Sequence, residues 1–262
     1  MKKSIRLALI GSGGRMGQRI AALAENDPRF QLIAGVERPN SKNIGRFLAG
    51  HAPVVSSVDE VLSKTDAVID FSSVETAVKN AIEVASQRKP LVIGTTGLKP
   101  AQLKKLRQIS KRIPIVFSPN MSVGVNALFR LVAEAARALK TYDLEIIEAH
   151  HNQKKDAPSG TAMRLAEIAA EASGRSPKDF VYGRKGFTGA RKNKQIGIMS
   201  IRAGDIVGDH TVLLSTGGER LELTHRAHSR DAFASGALEA AAWIVGKKPG
   251  FYTMLDVLKG KR

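Results

Sequence analysis

Short β-branched runs alternate with amphipathic segments from the N-terminal region up to Asn120, and this alternation limits the fold more than any other feature of the sequence. The predicted strands are Ile5–Ile10, Gln31–Val36, Ala67–Phe71, Pro90–Gly94 and Ile113–Phe117, and the predicted helices are Met16–Glu25, Val74–Arg88 and Ala101–Lys111. Strands and helices in alternation form right-handed crossovers and hence a parallel sheet. Ala67-Val68-Ile69 and Leu91-Val92-Ile93 are apolar at consecutive positions, which is typical of strands buried on both faces. We therefore predict a doubly wound α/β domain.

The pattern changes after Asn120. Helices are predicted at Val125–Leu139, Ala162–Ala172 and Ala232–Val245, and strands at Leu144–Ala149, Ile196–Arg202, Thr211–Ser215 and Arg220–His225. Glycine turns join the last three strands, which indicates a sheet that contains antiparallel pairs. The last helix is rich in alanine, so we expect it to pack closely on a neighbour. These features predict two domains with a boundary near Asn120.

A glycine-rich loop, Gly11-Ser12-Gly13-Gly14-Arg15-Met16-Gly17, directly follows the first predicted strand and opens the first helix. The start of a helix carries unpaired amides and a partial positive charge, so it binds a pyrophosphate when glycines let the backbone come close. Met16 occupies the third position of the common dinucleotide fingerprint, so the spacing departs from it. We predict a dinucleotide-binding loop, and a tight structural turn is the alternative.

The end of the second strand, Val36-Glu37-Arg38, bears on the choice of cofactor. An acidic residue about 20 positions after the glycine loop accepts hydrogen bonds from the ribose of NAD, whereas an arginine there holds the extra phosphate of NADP. Glu37 and Arg38 are adjacent, so the sequence leaves NADH and NADPH open. A solvent-exposed strand end is the alternative for Glu37.

Two further loops lie where a doubly wound fold places its site, at the carboxyl ends of strands. They are Gly94-Thr95-Thr96-Gly97 and Ser118-Pro119-Asn120-Met121-Ser122-Val123-Gly124. Small hydroxyl and amide side chains suit contacts with a ribose and a nicotinamide amide. Ordinary turn chemistry explains each loop equally well.

The segment from Glu148 to Ala162 is the most informative stretch for chemistry. It places His150, His151, Lys154 and Lys155 just before Ser159-Gly160-Thr161, which has the composition of an anion-holding helix start. Such a segment can hold a substrate with two carboxylates and can also deliver a proton. Solvated lysines, and an Asp156 that only shapes the turn, are the alternatives. The acidic and histidine residues show no recognised ligand spacing, so we predict no metal.

Composition excludes several other functions. The sequence has no cysteine, which excludes disulfides, cysteine–zinc sites and thiol nucleophiles. The formal net charge is +17, yet the basic residues are scattered and aromatic residues are only 5%, so we expect no dedicated nucleic-acid site. No apolar run reaches the roughly 18 residues of a membrane span. The apolar stretch Leu7–Ile10 is too short for a signal peptide, and we expect a cytoplasmic protein.

The sequence resembles dihydrodipicolinate reductase in motifs that occur in order along nearly the whole chain. The N-terminal motifs are Gly11-Ser12-Gly13-Gly14-Arg15-Met16-Gly17, Asp70-Phe71-Ser72, Val92-Ile93-Gly94-Thr95-Thr96-Gly97 and Asn120-Met121-Ser122-Val123-Gly124-Val125-Asn126. The later ones are Glu148-Ala149-His150-His151, Lys154, Asp156-Ala157-Pro158-Ser159-Gly160-Thr161, Arg202-Ala203-Gly204-Asp205-Ile206-Val207-Gly208-Asp209-His210-Thr211, Glu222-Leu223-Thr224-His225 and Phe233-Ala234-Ser235-Gly236-Ala237. The histidine–lysine segment is highly specific to the family.

The resemblance implies a Rossmann-like domain at 1–121, to which 231–262 returns. It further implies an α+β domain with a mixed sheet at 122–230, which binds the substrate and forms a homotetramer. The implied reaction is the NAD(P)H-dependent reduction of 4-hydroxytetrahydrodipicolinate to tetrahydrodipicolinate, on the route to diaminopimelate and lysine. The small dicarboxylate is the implied partner, with no nucleic acid and no membrane.

The resemblance also implies residue roles. His150 and Lys154 are the acid–base pair, and His151, Gly160 and Thr161 bind a substrate carboxylate. The residues implied to line the cofactor are Gly11, Ser12, Gly13, Gly14, Arg15, Met16, Glu37, Arg38, Gly94, Thr95, Thr96, Ser118, Pro119, Asn120 and Met121. Ser118-Pro119 stands where some members have two alanines. Two rival functions remain: a dehydrogenase of an amino acid or semialdehyde, and a non-enzymatic dinucleotide sensor that binds nucleic acid.

Overall fold

The computed structural model describes residues 4–260, which divide into two units. The first unit comprises the chain up to Val123 together with the segment from Arg230 onward, and the second comprises Gly124–Ser229. Residues 1–3 and 261–262, at the two ends of the predicted dinucleotide-binding domain and its returning segment, lie outside the described residues.

The strands are β1 (Ile5–Ile10), β2 (Phe30–Val36), β3 (Phe47–Leu48), β4 (Ala52–Val55), β5 (Ala67–Asp70), β6 (Leu91–Ile93), β7 (Pro114–Phe117), β8 (Asp143–His150), β9 (Phe180–Tyr182), β10 (Ile196–Arg202), β11 (Gly208–Thr216), β12 (Glu219–Ala227) and β13 (Gly250–Tyr252). The helices are α1 (Arg15–Glu25), α2 (Asp59–Leu62), α3 (Ala77–Ser86), α4 (Pro100–Ile109), α5 (Val123–Ala138), α6 (Gly160–Ser173), α7 (Asp231–Ile244) and α8 (Met254–Lys259), with a 3₁₀ turn at Pro177–Asp179.

The first unit is built on an eight-stranded sheet in the order β13-β7-β6-β5-β1-β2-β4-β3. All neighbours are parallel except β3 and β4, which form a short antiparallel pair. The sheet is covered on both faces, because Leu7 and Leu9 enter one apolar cluster while Ala8 and Ile10 enter the other. Every residue of β5 and β6 is buried, which confirms the interpretation of their consecutive apolar positions.

Helix α7 packs into the first unit although it follows the second unit in sequence. Gly236 lies against the backbone oxygen of Met121, so closely that a Cβ atom at this position would overlap it. At the surface of the same helix, Asp231 pairs with Arg19 at 2.7 Å and Glu239 pairs with Arg29 at 2.8 Å. The alanine-rich sequence of α7 therefore gives the close packing that was predicted.

The second unit is a five-stranded mixed sheet in the order β12-β11-β8-β10-β9. Strand β8 pairs in parallel with β10 and antiparallel with β11, and β11 pairs antiparallel with β12. Leu144 and Ile146 of β8 are buried with apolar residues of α5 and α6, whereas Ile147 on the opposite face is 36% exposed. Helices thus cover one face of this sheet, and the predicted fold class is correct for both units.

Several short elements were absent from the sequence predictions. They are β3, β4, β9, β13 and the helices α2 and α8, none longer than six residues. Segments of this length span too few positions to show a helical or strand period. Strand β13 exists because the sheet edge offers β7 as a partner, and Phe251 packs there 6.1 Å from the ring of Phe117.

We expect Gly236→Ala to destabilise the first unit by about 1–3 kcal/mol, because overpacking against the Met121 carbonyl outweighs the better helix propensity of alanine. Urea unfolding followed by circular dichroism measures this change. Ser235→Ala is the matched control, since Ser235 is the exposed neighbour on the same helix and its replacement should change stability by less than about 0.5 kcal/mol. Equal stability of both variants would contradict the packing argument.

Candidate active site

The glycine loop forms the tight connection between β1 and α1. Gly11 has a positive φ of 77°, and a Cβ atom there would lie 2.5 Å from the Phe71 carbonyl oxygen. Gly14 is the N-cap residue of α1 and has no side chain that could cap the helix. The backbone amides of the first turn are therefore open to an anion. This loop therefore fits the pyrophosphate of a dinucleotide.

Glu37 and Arg38 follow β2 at the edge of the same loop. The backbone N–H of Gly13 donates a hydrogen bond to Glu37 Oε1 at 2.6 Å. A cavity of about 520 Å³ is lined by both residues and by Gly11 and Gly14. Glu37 and Arg38, the two residues predicted to bear on the choice between NAD and NADP, therefore share one cavity with the glycine loop.

The loops after β6 and β7 meet at a second cavity of the first unit, with a volume of about 600 Å³. The predicted cofactor residues that line it are Arg15, Met16, Gly94, Thr95, Thr96, Pro119, Asn120 and Met121. The remaining ones lie apart from it: Ser12 and Gly13 line a smaller cavity, and Ser118 is buried with its Oγ donating to the Asn120 backbone oxygen at 2.6 Å. Gly94 lies against the Phe71 ring, which would have to shift to make room for a Cβ atom at position 94.

Asp70, at the carboxyl end of β5, is a buried carboxylate to which the sequence analysis gave no role. It accepts hydrogen bonds from the Ser72 amide at 2.7 Å, from Asn80 Nδ2 at 2.9 Å and from Thr95 Oγ1 at 3.4 Å. Burial raises the pKa of Asp70 in spite of these donors. Asp70 thus connects the loop after its own strand to the loop after β6. An acidic residue at the end of an apolar run was the signal in the sequence.

In the second unit, the histidine–lysine segment connects β8 to α6. His150 is the last residue of β8, and Ser159 caps α6 by accepting a hydrogen bond from the Ala162 amide at 3.2 Å. Between them, Lys154 Nζ contacts Asp156 Oδ1 at 2.8 Å. The segment therefore presents a histidine, a lysine and the start of a helix within one short connection.

Glu148 lies beneath this connection with a fully buried side chain. It accepts hydrogen bonds from His150 Nδ1 at 2.6 Å and from the Ser159 amide at 3.1 Å. Arg202 of β10 contacts both of its oxygens, at 2.8 and 2.7 Å. Glu148 and Arg202 belong to separate sequence motifs, and no local pattern in the sequence predicts a contact between them.

The pKa values in this cluster reflect burial and charge. Burial opposes ionisation of Glu148, but hydrogen bonds from Arg202 and His150 outweigh it and lower the pKa to about 2. Burial lowers the pKa of His150, Glu148 opposes this, and the positive charges of Lys154 and Arg202 add to the lowering. Burial also lowers the pKa of His210, whose ring meets that of His150 edge-on at 5.2 Å, to about 3. The cluster therefore combines an ionised carboxylate with two histidines whose pKa values are lowered by burial.

The predicted substrate residues lie around this cluster. His151 and Thr161 are half-buried, and Gly160 is exposed at the first position of α6 with open space where a Cβ would be. Within residues 4–260, no group of three or more histidine or acidic residues is placed to hold a metal ion. No described helix is both long and apolar enough to cross a membrane.

A doubly wound unit with a glycine loop, joined in one chain to a unit with a buried acid–base cluster, defines a two-domain oxidoreductase of the dinucleotide-binding class. Family models described as dihydrodipicolinate reductase, N-terminus and C-terminus, match residues 5–121 and 124–258. The chain belongs to the dihydrodipicolinate reductase family, and the predicted family and enzyme class are confirmed.

Curated relatives and a solved structure agree with this assignment. The chain is 49% identical to a 4-hydroxy-tetrahydrodipicolinate reductase of Aquifex aeolicus, covering 97% of this chain and 99% of the relative. It is 48% identical to the protein of the same name from Anaeromyxobacter dehalogenans, covering 97% of each. The dipicolinate-bound dihydrodipicolinate reductase of Paenisporosarcina sp. TG-14 has the same fold, with a TM-score of 0.80 at 24% identity over 96% of this chain and 98% of that one.

We expect Asp70→Asn to gain stability relative to the unmodified protein as pH rises. A carboxyl with a raised pKa binds its proton more tightly in the folded state, so folding loses stability as pH rises from the ordinary aspartate pKa through the raised one. Asparagine does not titrate and removes this loss. Unfolding temperatures of both proteins between pH 4 and pH 8 measure the difference. Asp59→Asn, at an exposed aspartate of the same unit, is the control, and a pH-independent difference for Asp70→Asn would contradict the buried charge.

Proposed function

We propose that this chain reduces 4-hydroxytetrahydrodipicolinate to tetrahydrodipicolinate with NAD(P)H, on the route to diaminopimelate and lysine. Relatives that carry this activity in their names align with 97% of the chain. The observation that carries the proposal is the buried Glu148–His150 pair beside Lys154 and the start of α6. This arrangement joins proton transfer to the binding of an anionic substrate.

The first unit holds the cofactor in this proposal. The amides at the start of α1 bind the pyrophosphate, Glu37 accepts hydrogen bonds from the adenosine ribose, and Arg38 binds the additional phosphate of NADPH. The loops that line the second cavity, including Thr95 and Asn120, contact the nicotinamide end. The cofactor supplies a hydride when bound, and the protein contributes its orientation.

The second unit holds the substrate. The two carboxylates of the substrate are bound by His151 and by the start of α6, where Gly160 and Thr161 offer backbone amides and a hydroxyl. The open space at Gly160 lets a ligand approach the backbone. The Paenisporosarcina structure is described as dipicolinate-bound, and dipicolinate is a small dicarboxylate of the same kind.

Lys154 and His150 carry the proton transfer. After loss of water, the conjugated imine takes up hydride at ring C4 and its electrons move toward the ring nitrogen. The resulting enamine takes a proton at carbon, which Lys154 and His150 supply. The positive charge of Lys154, together with the amides of α6, offsets the substrate carboxylates as charge moves.

The proposed assembly is a homotetramer formed through the sheet of the second unit. The face of this sheet opposite α5 and α6 carries exposed apolar side chains, among them Ile147 and Ile201, which are 36% and 47% exposed. Apolar surface of this kind supports burial against copies of the same chain. The proposed location is the cytoplasm, which supplies a biosynthetic reductase with reduced nicotinamide cofactor.

The proposal is tested by following NADH or NADPH oxidation with freshly made dihydrodipicolinate, with amino acids and with aspartate semialdehyde. We expect turnover with dihydrodipicolinate and none with the amino acids or with aspartate semialdehyde. Faster turnover of a semialdehyde or an amino acid would contradict the assigned substrate. No turnover, together with salt-sensitive binding of DNA or RNA, would favour a non-enzymatic sensor instead.

We expect Lys154→Ala to lower kcat roughly 10²–10⁴-fold with the fold intact, because it removes a proton donor. Steady-state kinetics and circular dichroism measure activity and folding. Lys155→Ala is the matched control, since Lys155 is the exposed neighbour and its replacement should leave kcat within about twofold. A near-normal kcat for Lys154→Ala would refute the assignment.

We expect Arg38→Ala to raise KM for NADPH by about 10–100-fold and to leave KM for NADH nearly unchanged, since a charged hydrogen bond to phosphate contributes roughly 1.5–3 kcal/mol. Kinetics with each cofactor measure both constants. The control is Lys42→Ala, an exposed basic residue nearby that lines neither of the two larger cavities. Equal changes for both cofactors would show that Arg38 does not bind the phosphate.

A further inference from the structure

The Glu148 carboxylate has all of its acceptor positions used by protein donors. Oε2 accepts from His150 Nδ1 at 2.6 Å and from Arg202 Nη1 at 2.8 Å. Oε1 accepts from Arg202 Nη2 at 2.7 Å and from the Ser159 amide at 3.1 Å. Because these donors come from β8, β10 and the start of α6, the carboxylate cannot rotate without breaking several hydrogen bonds at once.

We propose that Glu148 is a positioning residue that fixes the ring orientation and the tautomer of His150, and that Arg202 holds the Glu148 carboxylate in place for this task. This inference rests on the proposed function, because it assigns a role to His150 within that reaction. Glu148 is fully buried and therefore acts on the substrate only through the histidine.

The tautomer follows from the chemistry of the two groups. An ionised carboxylate only accepts hydrogen bonds, so the 2.6 Å contact requires that His150 Nδ1 carries a proton. In the neutral ring, Nε2 is then the nitrogen with a lone pair and the site of proton exchange. The pKa of Glu148 is lowered to about 2, which keeps the carboxylate ionised over the working range of pH.

The surroundings of Nε2 agree with an exchange role. Gly208 lies beside this nitrogen, and a Cβ at position 208 would come within 3.0 Å of it. The His210 ring packs edge-on against His150 at 5.2 Å and is itself held by the Ser159 hydroxyl, at 3.1 Å from Nε2 of His210. His150 is thus fixed by its neighbours, and a glycine leaves space at its reactive nitrogen.

The same strand contains a carboxylate that serves as a matched control. Glu145 is paired with Arg184 at 2.8 Å and with Arg191 at 3.0 Å, but it contacts neither histidine of the cluster. Both carboxylates therefore stabilise β8 through arginine, and only Glu148 reaches His150. A purely structural role predicts similar consequences for Glu148→Gln and Glu145→Gln.

The first test compares the kinetics of these two variants across pH. We expect Glu148→Gln to lower kcat by roughly 10²–10⁴-fold with KM changed much less, because glutamine can present its amide N–H to Nδ1 and favour the wrong tautomer. The limb of kcat/KM that reports His150 should move to lower pH, since Glu148 raises the pKa of His150 and the variant loses that influence. Glu145→Gln should keep both kcat and the limb. A Glu148→Gln enzyme with kcat within threefold of the unmodified enzyme would overturn the proposal.

The second test needs no substrate. Long-range ¹H–¹⁵N spectra of the full-length protein labelled at histidine report which ring nitrogen carries the proton, and His150→Gln identifies the signals of His150. We expect a proton on Nδ1 in the unmodified protein and on Nε2 in Glu148→Gln. A resting His150 with its proton on Nε2 would overturn this inference while leaving the proposed reaction intact. An inactive enzyme that shows the expected tautomer would instead place the failure in the proposed reaction.

Discussion

The buried charge of Glu148 is the constraint on which the functional half of the second unit depends. A carboxylate taken out of water is costly unless opposite charge and hydrogen bonds surround it, and removal of one partner of such a pair typically costs about 3–5 kcal/mol. Arg202 supplies the charge, and His150 and the Ser159 amide supply the remaining donors. Satisfying this one carboxylate therefore fixes the end of β8, the end of β10 and the start of α6 together. In the proposed function, the end of β8 and the start of α6 carry acid–base and anion-binding groups.

In the first unit, the main constraint is that the backbone must come close to a large anionic ligand. Gly11 and Gly17 let β1 and α1 approach each other, and the start of α1 is left with open amides. Asp70 then connects the loops after β5 and β6 through hydrogen bonds to Ser72, Asn80 and Thr95. Ligand-binding loops in a parallel sheet occur at one edge because the strands end there together, and Asp70 reduces the freedom of those loops.

The two units divide the reaction between them in the proposed function. The first unit offers backbone amides for the pyrophosphate, Glu37 for the ribose and Arg38 for the additional phosphate of NADPH, which suits recognition of a dinucleotide. The second offers histidine, lysine and a helix start, which suits a small dicarboxylate that must also be protonated. Neither function needs a metal or a thiol, in keeping with a sequence that has no cysteine. The positive net charge of +17 favours the approach of both anionic ligands.

Local features of the sequence determined the long strands, the glycine loop and the histidine–lysine segment. Their signals, such as consecutive apolar residues in Ala67-Val68-Ile69, lie within a few adjacent positions and reflect burial and backbone conformation directly. Only the tertiary structure decided the contacts of Arg202 with Glu148 and of His210 with Ser159, whose members are 54 and 51 residues apart. Such pairs depend on the order of the strands in the sheet, which no local pattern specifies. The same holds for β13, because a three-residue strand forms only where a sheet edge already offers it hydrogen-bond partners.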